Sequence, residues 1–402
     1  MNTTTTPAPL SIAMIGTRGV PAAYGGFETA IEEIGRRLVE RGHSVTVYCR
    51  SQDGEKPSEH LGMSLVHLPA LHVKVAETLS HTALSTLHAL VHRAPDAAFV
   101  FNAANAPFVP LLRAKGIPTA VHVDGLEWKR DKWGGAGKRY YRAAETTAVR
   151  TSDALIADAQ GIADYYDDEF GVPTELISYG ATIIDEPTSH KIAEIGLALG
   201  GFHLVVARFE PENHVREIVE GYSASDAELP LVVVGSAPYS ADYTSAIETI
   251  AARDPRIRML GGVWDQDLLD ELYANALTYV HGHSVGGTNP SLLRAIGAGT
   301  AVLAWDVAFN REVTLENGRY FGSAAALSPL LESAEADVTG TLSTGDRLRE
   351  RASSTYDWDL VTTGYEQLAV RLASGYSIRP IAKAARRSTS GRTGTPVASP
   401  VS

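Results

Sequence analysis

Short apolar runs alternate with helical patterns along most of the chain, and these runs form two sets. The first set covers residues 12–15, 45–48, 98–101, 120–123 and 154–157, and the second covers residues 204–207, 231–234, 257–260, 278–280 and 301–304. Apolar runs of this length, separated by helical periodicity, are typical of buried strands in parallel βαβ units. The pattern therefore predicts an α/β fold with two sets of parallel βαβ units, the building blocks of doubly wound, Rossmann-like domains.

A turn-rich stretch separates the two sets of strands. Residues 183–190 read IIDEPTSH, a sequence typical of a linker. We therefore expect an N-terminal domain over residues 10–185 and a C-terminal domain over residues 186–357. The next segment, residues 358–376, contains a predicted helix that can pack on either domain, including a return to the N-terminal one.

The two ends of the chain are predicted to be disordered tails. Residues 1–9 and 377–402 are rich in Thr, Ser, Pro and Gly and have almost no apolar periodicity. The C-terminal tail is also basic, because it contains Arg379, Lys383, Arg386, Arg387 and Arg392 and no acidic residue. Its positive charge fits either a solvated tail or attraction to anionic lipid.

Composition excludes several classes of protein. The chain has 402 residues, 44% of them hydrophobic, which is enough for two ordinary globular domains. A formal net charge of −12 argues against a general nucleic-acid binder, which needs clustered cations. The single cysteine fits a reducing cytoplasm, and neither a signal peptide nor an apolar run long enough to span a membrane is present.

Two glycine-rich loops each follow a predicted strand and lead into a helix. The first, residues 16–29, contains Gly25 and Gly26 and is too long for the dinucleotide fingerprint, so we expect no nicotinamide cofactor. The second, residues 281–289, contains Gly286, Gly287, Thr288 and Asn289 and leads into a helix that begins near Pro290. Unpaired N–H groups at a helix N-terminus stabilise a phosphate, although a glycine loop alone is a common feature.

Five motifs together resemble a known enzyme family. They lie at residues 15–29 (IGTRGVPAAYGGFET), 122–130 (HVDGLEWKR), 207–213 (ARFEPEN), 282–293 (GHSVGGTNPSLL) and 309–313 (FNREV). Over about residues 10–375 the chain resembles a GT-B glycosyltransferase, close to glycosyltransferase family 4 and its bacterial rhamnosyltransferase-like branch. GT-B enzymes have two Rossmann-like domains that face a central cleft.

The resemblance implies a specific reaction. It implies retaining transfer of a sugar from a nucleotide sugar, without an obligatory metal or other cofactor, to an acceptor in the cleft. We expect a deoxyhexose such as rhamnose, with dTDP-rhamnose as one donor, and a lipid-linked glycan of the cell surface as acceptor. Such an enzyme works in the cytoplasm, and peripheral contact with the inner face of the plasma membrane would bring it to a lipid-linked acceptor.

On the donor side, the departing diphosphate needs a fixed cation and N–H donors. Arg208 directly follows a predicted strand and is the expected cation, while Asn289, Pro290 and Ser291 open the donor helix. An ion pair of Arg208 with a nearby glutamate is the alternative. Family members often have a lysine a few residues after this arginine, and here that lysine is missing.

Two further donor positions depart from the family pattern. Related enzymes usually carry two glutamates separated by seven intervening residues on this loop and helix, and here these positions are Gly286 and Arg294. Arg294 either contacts phosphate from the first turn of the helix or faces solvent without a ligand role. Because both carboxylates are missing, a poorly active protein is an alternative that the sequence leaves open.

On the acceptor side, His122 and Asp124 close a predicted strand at the carboxyl edge of the sheet, where open α/β sheets bind ligands. Each can hydrogen-bond a sugar hydroxyl, and Asp124 can also serve as a base or stabilise positive charge at the anomeric carbon. An aspartate that caps the next segment is the alternative. Aromatic and cationic residues then interleave, which suits either a lipid-linked acceptor or a solvated helix face; they are Trp128, Lys129, Arg130, Lys132, Trp133, Lys138, Arg139 and Arg142.

Two motifs imitate metal sites. Asp265 and Asp267 form an Asp-x-Asp sequence, but they precede a helical pattern, so we predict an N-cap. His281 and His283 lack a third ligand at suitable spacing, and we predict no metal. Two other functions stay open from the sequence: a nucleotide-sugar epimerase or hydrolase of the same fold, and a non-catalytic nucleotide-sugar-binding protein.

Overall fold

The computed structural model describes residues 8–22, 26–51, 56–71, 76–123, 125–130, 133–236 and 241–390, and for residues 386–390 it describes the backbone only. Contacts divide the chain into two compact units. Unit 1 consists of Met1–Trp128, Trp133–Ile177 and Thr362–Ser402, and unit 2 consists of Lys129–Lys132 and Ser178–Val361.

Unit 1 contains an eight-stranded sheet. Its strands are β1 (Ser11–Ile15), β2 (Ser44–Arg50), β3 (Glu59–His60), β4 (Met63–Leu68), β5 (Ala97–Phe101), β6 (Thr119–His122), β7 (Ala154–Ala157) and β8 (Glu175–Leu176), in the order β3-β4-β2-β1-β5-β6-β7-β8. All neighbouring strands are parallel except β3, which is antiparallel to β4. The helices of this part of the chain are α1 (Gly26–Glu40), α2 (Ala76–Val91), α3 (Val109–Ala114), α4 (Gly135–Thr151) and α5 (Gln160–Phe170).

Unit 2 contains a six-stranded parallel sheet. Its strands are β9 (His203–Val206), β10 (Leu231–Val234), β11 (Ile257–Gly261), β12 (Thr278–His281), β13 (Ala301–Trp305) and β14 (Arg319–Phe321), in the order β11-β10-β9-β12-β13-β14. Its helices are α6 (His190–Glu194), α7 (Val215–Ser223), α8 (Ala241–Ala251), α9 (Gln266–Asn275), α10 (Pro290–Gly297), α11 (Ala308–Thr314), α12 (Ala324–Ala336) and α13 (Val338–Thr355). Apolar faces of α7, α8 and α12 pack with strand residues in one buried core.

The predicted α/β class is confirmed, and every strand predicted from an apolar run is present to within about two residues at either end. The pattern missed β3, β4, β8 and β14. These strands are short or carry exposed and polar positions, as in the Met63–Leu68 strand, whose Ser64 is exposed. Strands at or near a sheet edge need no continuous apolar run, because one side of them is not covered.

The contact boundary lies earlier than the turn-rich stretch near residue 185. The chain after Ser178 already packs within unit 2, because Ala181 N–H donates to the Tyr356 carbonyl (2.6 Å) and Ile184 N–H to the Gly297 carbonyl (3.2 Å). A turn-rich sequence marks a change of direction, whereas the boundary depends on which unit the backbone contacts.

The C-terminal segment differs from the expected tail. Helix α14 (Trp358–Ala373) begins in unit 2 and continues into unit 1, where Tyr365 packs against Phe99 with ring centroids 5.1 Å apart. The expectation of disorder over residues 377–402 is wrong for α15 (Arg379–Ser390), which packs through buried Ile378 and Ala382. Ile378, just before the helix, and Ala382 are the two buried apolar residues that anchor it. The prediction of a tail rested on the overall composition of residues 377–402, which does not show the spacing of these two residues. Residues 1–7 and 391–402 lie outside the described residues.

Each sheet has one point at which the strand order reverses. In unit 1 the reversal lies between β1 and β5, and in unit 2 it lies between β9 and β12. The loops that leave two such strands diverge to opposite faces of the sheet and open a crevice at the carboxyl edge, where α/β proteins bind ligands. The two glycine-rich loops follow β1 and β12, and Arg208 follows β9.

Candidate functional site

The loop of residues 282–289 leads from β12 into α10, as predicted. Pro290 occupies the first helical position, and the Asn289 side chain accepts a hydrogen bond from Ser291 N–H (2.9 Å). This cap gives one N–H of the first turn an internal partner. A phosphate at this helix end would therefore use the other N–H groups or displace the Asn289 side chain.

Neighbouring turns hold this loop in place. Ser284 donates from both its backbone N–H and its hydroxyl to the Glu212 carbonyl, each at 3.0 Å, and His214 Nδ1 lies 2.8 Å from the Gly282 carbonyl. A Cβ at position 282 would overlap the Asn213 carbonyl and lie 2.9 Å from Ile218 Cδ1. Glycine is therefore required at position 282 by close approach.

Two histidines lie at the carboxyl end of β12. The His281 and His283 rings stack with centroids 4.5 Å apart. Burial lowers the pKa of His281 to about 3, and burial together with the charges of His281 and Arg208 holds the pKa of His283 well below its usual range. Both rings are therefore neutral at physiological pH. Among the described residues, His281 Nε2 and His283 Nδ1 are buried and have no hydrogen-bond partner.

Arg208 lies at the carboxyl end of β9, next to this loop in the sheet order. Its terminal nitrogen is 3.7 Å from Glu210 Oε2, so the alternative ion pair exists in the structure. The Arg208 side chain is nevertheless 43% exposed, whereas that of Glu210 is 4% exposed. The guanidinium is thus anchored on one side and accessible on the other, which suits an anion-binding cation.

A second cation, Arg130, lies beside the same loop. Its Nη2 atom is 4.0 Å from the position that a Cβ of Gly286 would occupy, and its charge contributes, after burial, to the lowered pKa of His283. Gly286 itself has a φ of +137°, which side-chain-bearing residues rarely adopt. Gly287 and Thr288 are buried in the same turn.

Arg294 is not directed as a phosphate ligand would need. Its guanidinium binds Asp270 Oδ1 through Nε (2.9 Å) and Nη2 (2.6 Å) and Gln266 Oε1 through Nη1 (3.1 Å), and it lies over the Tyr273 ring. These contacts tie α10 to α9. These contacts favour an Arg294 side chain that binds no ligand. The side chain does not simply face solvent, however, because it is 23% exposed and paired with Asp270.

The Asp-x-Asp motif is an N-cap, as predicted. Asp265 Oδ1 accepts hydrogen bonds from Asp267 N–H (3.1 Å) and Leu268 N–H (3.2 Å), and both carboxylates bind Lys191. Among the described residues, no group of three or more His, Cys, Asp or Glu side chains is arranged to hold a metal ion.

In unit 1, buried polar contacts hold the loop that follows β1. Asn105 Nδ2 donates to the carbonyls of Gly16 (3.2 Å) and Phe101 (2.8 Å), and its Oδ1 accepts from the Thr82 hydroxyl (2.8 Å). Glu28 Oε1 accepts from Arg18 N–H at 3.0 Å. Gly26 is the first residue of α1, and the predicted ligand Gly25 lies outside the described residues.

His122 does not face an open crevice within unit 1. The residue is 1% exposed, and its ring packs in one cluster with the rings of Phe27 and Phe101, with centroids 5.2 and 5.9 Å away. Burial lowers the pKa of His122 to about 3, so its ring is neutral. These contacts fit a packing role better than the predicted hydrogen bond to a sugar. The predicted catalytic Asp124 lies outside the described residues.

The interleaved aromatic and cationic stretch is partly bound internally. Arg142 lies over the Trp128 ring at 4.9 Å and pairs with Glu169 at 2.7 Å, and Trp133 Nε1 donates to Glu127 (3.2 Å). Lys129 and Arg139 are exposed, and Lys132 lies outside the described residues. Among the described residues, only part of this stretch is thus exposed and available to contact an acceptor.

Sequence reasoning missed the residues that support the donor loop. Asn213 donates from Nδ2 to the Arg208 carbonyl (2.8 Å), and the His214 ring stacks on Trp305 at 3.5 Å. Asn310 Nδ2 donates to the carbonyls of His283 and Trp305, each at 2.9 Å. Asn213 and Asn310 lie inside two of the motifs that carried the family resemblance. The motifs therefore mark both residues, but they do not indicate that these side chains hold the donor loop.

Several solved structures share the fold of this chain. Sucrose-phosphate synthase from Thermosynechococcus elongatus is 19% identical, with a TM-score of 0.79 over 90% of this chain and 99% of that chain. WaaG, a glycosyltransferase involved in lipopolysaccharide biosynthesis, is 19% identical, with a TM-score of 0.68 over 90% of this chain and 100% of that chain. The chain has the GT-B fold.

A third GT-B structure was solved with a ligand. Anabaena HepE in complex with UDP-glucose is 16% identical to this chain, with a TM-score of 0.72 over 90% of this chain and 99% of that chain. At these identities the likeness concerns the fold.

Sequence comparisons cover less of the chain. Residues 10–182 match a family described as a domain of unknown function, DUF1972. A stretch of 61 residues is 34% identical to an uncharacterized 42.6 kDa protein in the cps region of Klebsiella pneumoniae, covering 15% of this chain and 16% of that protein. The match to this curated relative thus spans about one sixth of its length.

Within the described residues, no helix combines the length and the apolar character needed to cross a membrane.

Proposed function

We propose that this protein is a retaining glycosyltransferase that takes a sugar from a nucleotide sugar. One observation carries the proposal: at the strand-order reversal of unit 2, an accessible arginine lies beside a glycine loop, and this loop and the turn after β9 each contain a buried polar atom without a hydrogen-bond partner among the described residues. Arg208 supplies the cation, and His283 Nδ1 and Glu212 Oε1 are buried without hydrogen-bond partners among the described residues. Buried polar atoms are nearly always paired, so such atoms favour a polar ligand.

The chemistry follows from these groups. Cleavage of the glycosyl phosphate bond places negative charge on the departing diphosphate, and Arg208 would stabilise that charge more in the transition state than in the ground state. His283 is neutral and can exchange a hydrogen bond with a hydroxyl of the donor without adding a charge. Arg130 would supply a second cation to the pocket, in place of the missing lysine that related enzymes often have a few residues after the arginine corresponding to Arg208.

The donor and the acceptor are the finer parts of the proposal. We retain a deoxyhexose such as rhamnose as the transferred sugar and a lipid-linked glycan as the acceptor, with the protein acting at the inner face of the plasma membrane. The motif resemblance supports the first, and the exposed cations Lys129 and Arg139 support an anionic acceptor. UDP-glucose belongs in the donor panel, because HepE was solved with it.

The test is a donor screen with purified full-length protein. Nucleoside diphosphate release is measured with UDP-glucose, dTDP-rhamnose and other nucleotide sugars, with and without lipid-extracted acceptors, and in the presence of EDTA. We expect one donor to give nucleoside diphosphate release that depends on the acceptor and persists in EDTA. NMR of the product should show that the transferred sugar keeps the anomeric configuration of the donor. Release without acceptor would indicate a hydrolase, and tight nucleotide binding without turnover would indicate a binding protein; either result overturns the proposal.

A matched pair of variants tests the site itself. Arg208→Ala should lower kcat/KM by about 100-fold, the usual effect of removing one transition-state donor. Arg216→Ala removes an exposed arginine on α7 that pairs with Glu220, and it should leave kcat/KM within about twofold. Equal effects of the two substitutions would contradict the placement of the donor diphosphate at Arg208.

A further inference from the structure

A basic cavity lies in unit 1, on the side of its sheet at which strands β6 and β7 begin. The cavity has a volume of about 570 Å³, and its lining includes the side chains of Arg113, Arg150, Arg379 and Lys383. Arg113 and Arg150 lie in the segments that precede β6 and β7, so the cavity is beside the amino ends of these strands. It is therefore separate from the glycine-rich loop of unit 1, which follows the carboxyl end of β1.

One buried carboxylate fixes two of the four cations. Asp153 is 4% exposed; its Oδ2 lies 3.2 Å from Arg113 Nε and accepts from Thr119 N–H (3.1 Å), and its Oδ1 lies 3.0 Å from Arg379 Nε. Both guanidiniums use Nε for this carboxylate. Their positions are thus set in advance, which lowers the entropy lost when an anion binds.

Positive charge exceeds negative charge around the cavity. Arg150 and Lys383 form no ion pair with any described residue, whereas Arg113 and Arg379 share the single charge of Asp153. Four cations thus face one carboxylate. The repulsion among them is relieved by an anion with at least two charges, and a guanidinium offers several N–H donors to phosphate oxygens.

Helix α15 completes the cavity. Ile378 is 1% exposed, and its N–H donates to the Asp153 carbonyl at 2.9 Å, which anchors the start of the helix. Arg379 and Lys383 are four residues apart and therefore lie on the same face of α15. Residues that composition alone assigns to a solvated tail are in this way brought next to cations more than 220 residues away in sequence.

We infer that this cavity binds a diphosphate or a similar phosphate group with two or more negative charges. The inference is independent of the proposed transferase activity. A volume of about 570 Å³ lies within the usual range for small-molecule sites and is large enough for a diphosphate with part of the molecule that carries it. The same chemistry occurs in a free phosphorylated metabolite and in a phosphate-bearing lipid headgroup.

The test measures binding of inorganic pyrophosphate to the full-length protein by calorimetry. The double variant Arg150→Ala/Lys383→Ala removes the two cations that make no ion pair, and so leaves Asp153 paired. We expect its affinity for pyrophosphate at this site to fall by at least about tenfold for each cation removed. Arg93→Ala/Lys56→Ala removes the same charge from exposed positions of unit 1 and should leave the affinity unchanged. Equal melting temperatures would show that both double variants are folded.

A second arm separates the two sources of the anion. Co-sedimentation is measured with vesicles of phosphatidic acid, whose phosphomonoester can carry two negative charges, and phosphatidylcholine, and with vesicles of phosphatidylcholine alone. If the Arg150→Ala/Lys383→Ala variant loses pyrophosphate binding only, the site takes a free phosphate compound; if it selectively loses binding to the anionic vesicles, the site takes a headgroup. If it matches both the wild-type protein and the control variant in both assays, the inference is overturned.

Discussion

Glu145 on α4 gives a quantitative prediction about the pH dependence of stability, because its carboxyl group is buried beside Tyr165 and Arg142. The residue is 3% exposed, its Oε2 accepts from the Tyr165 hydroxyl at 3.1 Å, and Arg142 Nη1 lies 3.8 Å away. Burial raises the pKa of Glu145 from 4.5 to about 7, although Tyr165 and Arg142 act in the opposite direction. We predict that Glu145→Gln removes a pH-dependent loss of stability.

The sign and size follow from proton linkage. Between pH 4.5 and 7 the folded protein holds the Glu145 proton more tightly than the unfolded chain does, so the free energy of unfolding falls as pH rises. One pKa unit corresponds to about 1.36 kcal/mol, so the shift of Glu145 corresponds to about 3 kcal/mol across this range. Glutamine keeps a neutral acceptor for Tyr165 at every pH. Relative to the wild-type protein, Glu145→Gln should therefore gain about 3 kcal/mol between pH 4.5 and 8.

The assay is urea unfolding of both proteins at a series of pH values, followed by circular dichroism. The difference between the two proteins cancels the titration of groups that they share. Tyr165→Phe provides a second check, because loss of its hydrogen bond should raise the pKa of Glu145 in the folded protein further and extend the stability loss to higher pH. A carbon-13 titration of glutamate-labelled protein, with the Glu145→Gln spectrum for assignment, measures the pKa directly. A Glu145 resonance that titrates at or below pH 4.5 would refute the reasoning.

Three other predictions concern the donor loop. Gly282→Ala should lower the free energy of unfolding by about 1–3 kcal/mol in urea, because the added Cβ overlaps the Asn213 carbonyl; an unchanged midpoint would contradict this packing. Arg130→Ala should weaken nucleotide-sugar binding by about tenfold in calorimetry, whereas Lys129→Ala, its exposed neighbour, should not; similar affinities would remove Arg130 from the pocket. Arg294→Ala should lower stability by about 1 kcal/mol and leave nucleotide affinity unchanged, and a large loss of affinity would restore its phosphate role.

The amino-acid sequence by itself determined the elements that have a strong local signal. Buried parallel strands such as Leu231–Val234 and Ala154–Ala157 are continuous apolar runs, because both faces of the sheet are covered. Pro290 after Asn289 marks the start of α10, and Asp265 marks that of α9, because caps satisfy N–H groups only a few residues away. These features depend on near neighbours in the chain, so no knowledge of the fold is needed to predict them.

Only the tertiary structure decided what individual polar side chains do. The sequence left a phosphate role open for Arg294, but this side chain is paired with Asp270 of α9, whereas Arg208, the expected cation, is 43% exposed. His122 occupies a position that suits a ligand, but it is buried and its ring packs against those of Phe27 and Phe101. The basic cavity joins Arg113 to Arg379 through Asp153. Charge and hydrogen bonding act over a few ångströms in space, and the residues that supply them are distant in sequence, so local patterns carry no record of these pairings.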